Sequence, residues 1–355
     1  MQQTSKEALD GRSGVLAGAR GWIITDGKAG HEVQTRGVFD ALGLDYEMKP
    51  VRPKGLFKAL SPWMPVSPNE RFGTPASIFC PPWPDFAISI GRTTTPYIRA
   101  LKRRAGLKTY TIILQDPKTN AAAADLYWVP EHDTRRGANV ITTLTAPHGF
   151  TQSRLGELRS AMPPAIAALP SPRVAVMLGG ATRVFRYGDE DLTRLGAALA
   201  SLQRLGAGLM ITPSRRTSAE IAHRVRLATE GSPRLIWDRE GENPYPYYLA
   251  HADALIVAGD SINMTGEACA TGKPVYVFMP SGGSAKFRRF HTALRAHGAT
   301  RPLPEHFEAL ETWTYAPLDS ATLIAAEIER RWTRRSHMLS GLLATGALTG
   351  RNRGA

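Results

Sequence analysis

Residues 252–280 (ADALIVAGDSINMTGEACATGKPVYVFMP) constrain the fold of this chain more than any other stretch. The first apolar run, 254–258, has the composition of a strand that is buried on both faces. A polar loop follows, in which Ser261 or Asn263 can cap a short helix. A Gly-Lys-Pro turn then ends that helix before a second apolar run at 275–279. This order predicts a strand, a helix and a second, parallel strand.

The polar residues of this stretch fall at the carboxyl end of its first strand. Open α/β sheets bind ligands at that end, and a helix N-terminus there offers N–H groups and a positive dipole to a phosphate. Glu267 would face the same crevice, and the small-residue loop 281–284 (SGGS) leaves space beside it. We therefore expect a binding site; the alternative is an ordinary βαβ unit without a ligand. The polar residues are Asp260, Ser261, Asn263, Thr265 and Glu267.

The length of the chain, 355 residues, favours two α/β domains over one. No apolar run approaches the ~20 residues that a membrane-spanning helix needs. Residues 1–20 contain charges and no long apolar core, so we expect no secretory signal. Cys80 and Cys269 lack metal-ligand spacing and suit a reducing compartment, so we expect a cytoplasmic protein.

The net charge of +13 suits nucleic acid, an anionic membrane surface or phosphorylated substrates. The basic residues are dispersed, with clusters at 99–108 and 330–335, and neither a nucleic-acid motif nor a series of stacking aromatics accompanies them. We therefore expect no nucleic-acid partner. The apolar stretch 55–68 (GLFKALSPWMPVSP) has no strong period and fits either a packed core loop or a surface that contacts a membrane.

The first half repeats a strand–loop–helix order, which predicts a parallel sheet. Its first strand, 21–25, ends in the Gly-rich turn DGKAGHE before a helix over about 33–42, a geometry suited to anions. The turn matches neither the Walker loop nor GxGxxG. His31 could act as a general base at neutral pH, and the alternative is a capping or solvated histidine. Further polar residues follow later strands: Arg92, Gln115 and Asp116.

The second half repeats the plan of the first after a Pro-rich stretch, 163–172, that we interpret as a domain linker. Three loops, 179–183, 213–217 and 259–267, are predicted to converge at one sheet edge. The predicted divisions are a flexible arm (1–20), an N-terminal domain (21–165), a C-terminal domain (166–318) and a final helix with a basic tail that packs back toward the N-terminal domain (319–355).

Arginines in these loops can neutralise phosphates with paired hydrogen bonds, and Glu267 can accept from ribose hydroxyls. The arginines are Arg183, Arg215 and Arg216. Any one of them alone would be interpreted as a solvated surface charge, but three converging loops provide the groups that a nucleotide diphosphate needs.

Several segments together resemble the mitochondrial-fission Elm-type family: TDGKAGHEVQT, SIGRTTTP, ILQDPK, GGATRVFRY, ITPSRRT and GDSINMTGEACATGKPVYV. The resemblance covers about residues 20–330, and 259–277 is its most specific part. That family is similar to the GT-B glycosyltransferases. The resemblance implies an α/β fold with two Rossmann-like domains, whose parallel sheets face a cleft.

The resemblance also implies roles for individual residues. Gly27, Gly30 and His31 match an acceptor-side loop, and Glu267 matches a glutamate that binds ribose. Ser261, Met264 and Thr265 match a loop at the donor phosphate, and Gly179 and Gly180 match a loop facing the donor. With the loop residues described above, the predicted donor-binding residues are Gly179, Gly180, Arg183, Ser214, Arg215, Arg216, Asp260, Ser261, Met264, Thr265 and Glu267. The predicted acceptor-binding residues are Gly27, Lys28, Gly30, Arg92, Gln115 and Asp116.

The resulting hypothesis is a metal-independent glycosyl transfer in which a nucleotide-sugar is the donor substrate and no cofactor takes part. His31 or Asp26 would deprotonate the acceptor hydroxyl, while Arg183, Ser214 and Arg215 would stabilise the departing phosphate. The acceptor would be a lipid-linked molecule or a saccharide, and the protein would contact an anionic membrane peripherally, on its inner face.

Two other classes of function were compared with this one. A non-catalytic GT-B-like scaffold that recruits a partner protein to a membrane is the alternative. A nucleotide-sugar epimerase would require a GxGxxG turn and a Tyr-x-x-x-Lys pair, and neither is in place.

Overall fold

The computed structural model describes residues 16–74 and 77–344, with the side chains of 342–344 excepted. The chain forms two compact units: Met1–Thr143 with Ala321–Ala355, and Leu144–Ser320. Most of the predicted arm (1–15) and the basic tail (345–355) lie outside the described residues. Each unit contains one six-stranded sheet in which every pair of neighbouring strands is parallel.

The sheet of the first unit has the strand order β2-β1-β3-β4-β5-β6. Its strands are β1 (Arg20–Thr25), β2 (Asp45–Pro50), β3 (Phe86–Ile90), β4 (Tyr110–Leu114), β5 (Leu126–Pro130) and β6 (Val140–Thr143). The residues of β3, β4 and β5 are buried throughout, because helices cover both faces of a parallel sheet. The edge strand β2 is only partly buried.

Three helices of the first unit follow its early strands: α1 (Ala29–Leu42), α2 (Gly55–Ala59) and α3 (Thr95–Ala105). Short 3₁₀ segments lie at Pro68–Glu70, Gly106–Lys108 and Ala121–Ala123. Helix α1 packs against β1 at Gly21, where an added Cβ would lie 2.1 Å from the Phe39 ring. A glycine at this position therefore sets how closely the helix approaches the sheet.

The sheet of the second unit has the order β10-β9-β7-β11-β12-β14. Its strands are β7 (Arg173–Leu178), β9 (Gly208–Pro213), β10 (Arg234–Ile236), β11 (Ala254–Ala258), β12 (Val275–Phe278) and β14 (Thr300–Pro302). A separate antiparallel pair joins β8 (Phe185–Arg186) and β13 (Ser281–Gly282). Alternate residues of β7 enter different cores, with Val174 and Val176 on one face and Ala175 and Met177 on the other.

Seven helices surround this second sheet. They are α4 (Gln152–Ser160), α5 (Pro164–Ala167), α6 (Asp189–Arg204), α7 (Ala219–Ala228), α8 (Tyr245–His251), α9 (Ile262–Cys269) and α10 (Ala285–Ala296). The last helix, α11 (Ser320–Ala344), belongs to the first unit from Ala321 onward. There the Trp332 ring lies 4.6 Å from Phe86, and Arg335 donates to the Leu107 carbonyl at 2.7 Å. Within the described ranges, no helix is both long and apolar enough to cross a bilayer.

The division between the units lies earlier than the sequence analysis places it, at 143/144 and not at 165/166. The Pro-rich stretch 163–172 is part of the second unit, because Ile166 and Leu169 are buried in its core. Helix α4 also packs there, since Gln152 donates to the Ala270 carbonyl at 2.6 Å.

The connectivity places a topological switch point in each sheet. In the first unit the chain runs from β1 to β2 at one edge and then crosses to β3 on the other side of β1. In the second unit, β9 and β10 extend from one side of β7, and β11 and β12 extend from the other. The loops that leave two such neighbouring strands diverge and open a crevice at the carboxyl edge, where ligands bind in sheets of this type.

Candidate functional site

Three loops meet at the switch point of the second sheet. A Cβ added to Gly179 would lie 1.9 Å from Oδ1 of Asp260, and one added to Gly180 would lie 1.9 Å from the carbonyl oxygen of Arg216. The loops after β7, β9 and β11 are therefore in direct contact, as the sequence predicts for 179–183, 213–217 and 259–267. A side chain at 179 would displace the Asp260 carboxylate, and one at 180 would displace the backbone of the loop at Arg216.

Asp260 holds these loops together. Its side chain is fully buried and accepts hydrogen bonds from the Gly180 amide (3.3 Å), from Nη2 of Arg216 (2.5 Å) and from the Tyr187 hydroxyl. Burial, followed by the charge and hydrogen bond of Asp260, raises the pKa of Tyr187 far above the ordinary tyrosine value. Tyr187 therefore remains a donor. Asp260, predicted to contact a donor substrate, positions the surrounding groups and does not present a carboxylate to solvent.

The loop after β9 has its own internal hydrogen bonds. The Ser214 amide donates to Oγ1 of Thr217 at 2.9 Å, and Thr217 donates to the Gly179 carbonyl at 2.7 Å. The Ser214 hydroxyl accepts from the Arg216 amide at 3.3 Å and lies 3.1 Å from Oγ1 of Thr217. Arg239 closes the loop by donating to the carbonyls of Ser214 and Thr217, each at 2.8 Å. These contacts hold the loop in one conformation.

Two of the three predicted arginines are available to a ligand. Arg183 and Arg215 are exposed, and neither forms a hydrogen bond or ion pair with any residue that the structure describes. The third, Arg216, keeps 44% of its side chain exposed although it is paired with Asp260. The edge therefore presents three positive charges, one of which is fixed in place by a buried carboxylate.

Helix α9 begins at this edge and is capped by Ser261, whose hydroxyl accepts from the Met264 amide at 3.4 Å. The Thr265 hydroxyl is buried and donates to the Ser261 carbonyl at 2.9 Å, so it serves the helix. Met264 is half-buried and packs on the core of the unit. Of these predicted donor-site residues, Ser261 and Met264 lie at the partly exposed start of the helix, and Thr265 lies beneath them.

Glu267 lies farther along the same helix and is 8% exposed. Its Oε2 accepts a hydrogen bond from the Tyr245 hydroxyl, on the helix that precedes β11. Burial raises the pKa of Glu267, although the hydrogen bond from Tyr245 opposes this rise. Burial and the neighbouring carboxylate raise the pKa of Tyr245 as well. The Tyr245 ring also packs edge-on to Phe150, at 5.8 Å between centroids.

In the first unit, the loop after β1 brings together the two predicted catalytic residues. Nδ1 of His31 lies 2.9 Å from Oδ1 of Asp26, and Nζ of Lys28 lies 2.5 Å from Oδ2. Burial opposes ionisation of Asp26, but the hydrogen bonds from Lys28 and His31 outweigh it and lower the pKa of the carboxyl below its ordinary value. An ionised carboxylate on Nδ1 fixes the orientation of the imidazole and leaves Nε2 for proton transfer.

The free edge of His31 faces the other loop of the same switch point. A Cβ on Gly91 would lie 3.4 Å from Cε1 of His31 and 4.0 Å from Nε2. Gly91 also has a φ of 77°, which only glycine adopts readily. The turn residues Gly27 and Lys28 are exposed, and Gly30 is half-buried in the first turn of α1, where His31 lies. The loop is thus open to solvent beside the His31–Asp26 pair.

The remaining predicted acceptor residues make contacts within the protein. Arg92 donates to the Ser61 carbonyl at 2.6 Å, and Gln115 donates to Gln34 at 3.4 Å. Asp116 pairs with Arg135 and with Lys118, each at 2.8 Å. Burial opposes ionisation of Asp116, but the bonds from Lys118 and Arg135 lower its pKa. In the part of the chain that the structure describes, neither Arg92 nor Asp116 forms a hydrogen bond or ion pair with His31.

Sequence reasoning missed Tyr187 and Tyr245, which hydrogen-bond the two carboxylates of the second unit. Tyr187 lies next to the GGATR segment, so its place in a loop at the sheet edge was a signal. Tyr245 follows Asn243 and Pro244 at the start of a helix that no motif marks. In the described part of the chain, no group of three or more His, Cys, Asp or Glu side chains could hold a metal ion.

Two parallel sheets with loops converging at their switch points define a protein of the two-unit, Rossmann-like α/β class. Within that class, the chain belongs to the mitochondrial fission ELM1 family, whose model matches residues 29–332. The mitochondrial fission protein ELM1 of Arabidopsis thaliana is 29% identical over 282 residues, which are 71% of this chain and 66% of that protein. The chain thus spans slightly less than two thirds of that relative's length.

Solved structures with a similar chain trace have low sequence identity. A UDP-GlcNAc 2-epimerase from Methanocaldococcus jannaschii is 9% identical, with a TM-score of 0.48 over 87% of this chain and 99% of that one. MurG from Acinetobacter baumannii is 13% identical, with a TM-score of 0.45 over 89% of this chain and 93% of that one. TM-scores below 0.5 at these identities do not define a shared site or activity.

Proposed function

We propose that this protein is a metal-independent glycosyltransferase whose second unit binds a nucleotide-sugar donor. The observation that supports this most directly is the contact of three loops at the switch point of the second sheet, where Arg183, Arg215 and Arg216 accompany a helix N-terminus. Guanidinium groups and helix N–H groups both recognise phosphate, and here they occur at the edge where such sheets bind nucleotides.

In this proposal the arginines neutralise the diphosphate and stabilise it as it departs. Arg216 has a special place because Asp260 fixes its guanidinium before any ligand arrives. A preorganised charge costs little reorganisation when negative charge develops on the leaving group. Glu267 accepts hydrogen bonds from the ribose hydroxyls through the oxygen that Tyr245 does not engage.

The first unit supplies the general base. Nε2 of His31 takes the proton of the acceptor hydroxyl, and the ionised Asp26 stabilises the imidazolium that forms. The acceptor oxygen then bonds to the anomeric carbon of the sugar, while the bond from that carbon to the nucleotide phosphate breaks. We place the acceptor, a lipid-linked molecule or a saccharide, on the membrane or in the cell envelope.

The alternative is a non-catalytic scaffold that recruits a partner protein to a membrane, and the name of the Arabidopsis relative, a fission protein, favours it. The His31–Asp26 pair favours an enzyme, because a scaffold does not need a histidine oriented by an ionised carboxylate. An enzyme would convert a bound nucleotide-sugar, whereas a scaffold would leave it unchanged.

The first test is a thermal-shift screen of the whole protein against UDP, GDP, ADP and CMP and their sugar conjugates. Binding to the folded state raises Tm, so a shift with one base that is lost in Arg215→Gln would support the donor site. Glu230→Gln, an exposed carboxylate remote from the three loops in sequence, is a control for general charge effects. If no nucleotide shifts Tm, the donor site is wrong.

The second test follows the bound nucleotide-sugar in time. Release of the free nucleotide would indicate transfer or hydrolysis. Formation of an altered nucleotide-sugar in the absence of an acceptor would indicate epimerisation. A nucleotide-sugar that binds and stays unchanged with every acceptor preparation tested would favour the scaffold.

A further inference from the structure

A positively charged cavity in the first unit is lined by residues other than those of the His31 loop. It has a volume of about 530 Å³ and lies between α3 and the segment that follows β4. Three basic side chains line it, together with Trp63, Thr119 and Asn120: Arg99, Lys102 and Arg103. No carboxylate is among the lining residues.

The positive charge of this cavity is only partly neutralised. Lys102 pairs with Asp125 at 2.9 Å, but Asp125 also lies 3.7 Å from Arg335. Arg103 is exposed and forms no hydrogen bond or ion pair with a described residue. Arg99 and Arg103 line the same cavity, and burial, followed by the charge of Arg103, lowers the pKa of Arg99. A bound anion would offset these positive charges.

One hydroxyl in the cavity lacks a partner. Oγ1 of Thr119 is buried and forms no hydrogen bond, although most buried polar side-chain atoms in proteins do. Its backbone carbonyl accepts from Arg135, so the position of the residue is fixed. A hydroxyl on a residue that lines the same cavity as Arg99 and Arg103 is a suitable donor to a phosphate oxygen.

An exposed apolar segment contributes Trp63 to the rim of the cavity. Trp63 is 60% exposed, and Leu56 and Leu60, which precede it in the chain, are 69% and 46% exposed. Helix α2 buries none of its residues; Lys58, in its last turn, and Lys54, at its N-cap, are exposed. Within the 55–68 stretch, the exposed helix is followed by a part that packs, since Val66 lies against the core of the first unit.

Two arginines hold this rim against the unit. Arg99 donates to the carbonyls of Trp63 (3.1 Å) and Met64 (2.8 Å), and Arg92 donates to the Ser61 carbonyl. The Arg92 guanidinium also lies over the Trp63 ring at 5.1 Å. The exposed tryptophan is thus fixed at the mouth of the cavity. Surfaces that enter a bilayer interface typically combine exposed Trp and Leu side chains with lysines.

From these contacts we infer that the cavity binds the phosphate of an anionic phospholipid headgroup, while Leu56, Leu60 and Trp63 enter the interface around it. Arg103 and Arg99 neutralise the phosphate, and Thr119 donates to one of its oxygens. The inference does not depend on the donor site of the second unit, and it assigns membrane contact to one set of residues.

Flotation of the whole protein with vesicles tests this inference. We expect binding to phosphatidylcholine vesicles that contain phosphatidylglycerol at low salt, and none to phosphatidylcholine alone. Arg103→Gln should weaken binding roughly fivefold. Arg104→Gln is the matched control, because Arg104 has the same charge on the same helix but lies over the Phe72 ring, outside the cavity lining. It should change binding less than about twofold.

Thr119→Val separates a headgroup site from general attraction between charges. It preserves the shape and the net charge but removes the hydroxyl, so we expect binding to weaken about threefold. Unchanged thermal unfolding of each variant would show that the fold is intact. Equal effects of Arg103→Gln and Arg104→Gln with no effect of Thr119→Val would overturn the cavity as the site.

Binding of free glycerol phosphate distinguishes a site for a lipid headgroup from a site for a free phosphorylated metabolite. If glycerol phosphate binds in a manner that needs Arg103 and Thr119 while vesicles do not bind, the site serves a free metabolite and the lipid assignment is wrong. If it competes with vesicles that do bind, the headgroup assignment is supported. Nucleotide binding by the second unit should be the same in all three variants.

Discussion

The Tyr245 hydroxyl donates its hydrogen bond to Oε2 of Glu267, and the pKa values of both groups are raised by burial. One donor does not compensate a buried carboxylate for the loss of water. Glu267 is therefore kept at a cost to folding, which is typical of a residue retained for binding. A ligand with two hydroxyl groups could supply the missing donors.

We expect Glu267→Gln to separate stability from binding. Because the pKa of Glu267 is raised in the folded protein, the folded state favours the protonated form, and this contribution to stability is lost as pH rises above the usual value of 4.5. The neutral amide removes this loss, so Tm of the variant relative to the unmodified protein should rise as pH increases above 4.5. Nucleotide affinity should fall about tenfold or more.

Calorimetry at several pH values, together with titration by the nucleotide found in the thermal-shift screen, would check both outcomes. If Glu267→Gln lowers Tm by the same amount at every pH, ionisation of buried Glu267 does not destabilise the folded protein and the prediction is wrong. Unchanged nucleotide affinity would remove the ribose role of Glu267.

Tyr245→Phe should weaken nucleotide binding less than Glu267→Gln, because the carboxylate remains but loses its positioning hydrogen bond. We expect about a threefold to tenfold loss of affinity. Tyr247→Phe is a matched control on the same helix. Equal losses in the two variants would show that the helix, and not the bond to Glu267, is responsible.

Asp26→Asn should reduce turnover by about 10²–10⁴-fold, because the neutral amide no longer stabilises the imidazolium of His31. The pKa of Asp26 is lowered, so its contribution to stability is present above the usual value of 3.8 and is lost as pH falls. The difference in Tm between Asp26→Asn and the unmodified protein should therefore shrink toward low pH. Lys28→Met, a change at an exposed partner, should have a small effect on Tm.

Turnover and nucleotide affinity should be measured on the same preparations of these two variants. Nucleotide affinity that falls in Asp26→Asn would contradict a role confined to the acceptor proton.

Gly180→Ala should destabilise the second unit by about 1–3 kcal/mol or more, because the new methyl group would meet the Arg216 backbone at 1.9 Å. The matched control is Gly156→Ala in helix α4, where an added Cβ meets nothing within 4 Å. That change should stabilise the protein by about 0.5–1 kcal/mol. Urea unfolding of both variants would check the pair, and equal changes would contradict the contact between the loops.

A double-mutant cycle on Asp260 and Arg216 should give an interaction energy of about 0.5–3 kcal/mol. Asp260→Asn preserves the shape of the side chain but weakens its hydrogen bond to the Arg216 guanidinium, whose side chain is 44% exposed. The cycle is measured as the free energy of unfolding of the unmodified protein, Asp260→Asn, Arg216→Gln and the double variant. Additive effects would show that Asp260 does not position Arg216.

Most strands of the two parallel sheets were predictable because a strand covered on both faces is largely apolar, as 254–258 (ALIVA) and 110–114 (YTIIL) are. The contact of the three loops was also predictable, because the carboxyl ends of parallel strands lie at the same edge of a sheet. The role of Asp260 was not predictable, since its burial arises from the missing side chain of Gly179 and from Tyr187, which are distant in sequence. The division at 163–172 was misplaced because prolines mark linkers and ordered turns alike, and the burial of Ile166 and Leu169 distinguishes the two here.

The 1.9 Å separation between Oδ1 of Asp260 and the Cβ position of Gly179 also limits how this family can diverge. Any side chain at 179 occupies the place of the carboxylate, so a first substitution there is disfavoured while aspartate remains at 260. A change at 260 alone leaves Arg216 without its partner. The two positions should therefore covary among relatives, and a sequence with a larger residue at one should have a smaller or neutral residue at the other.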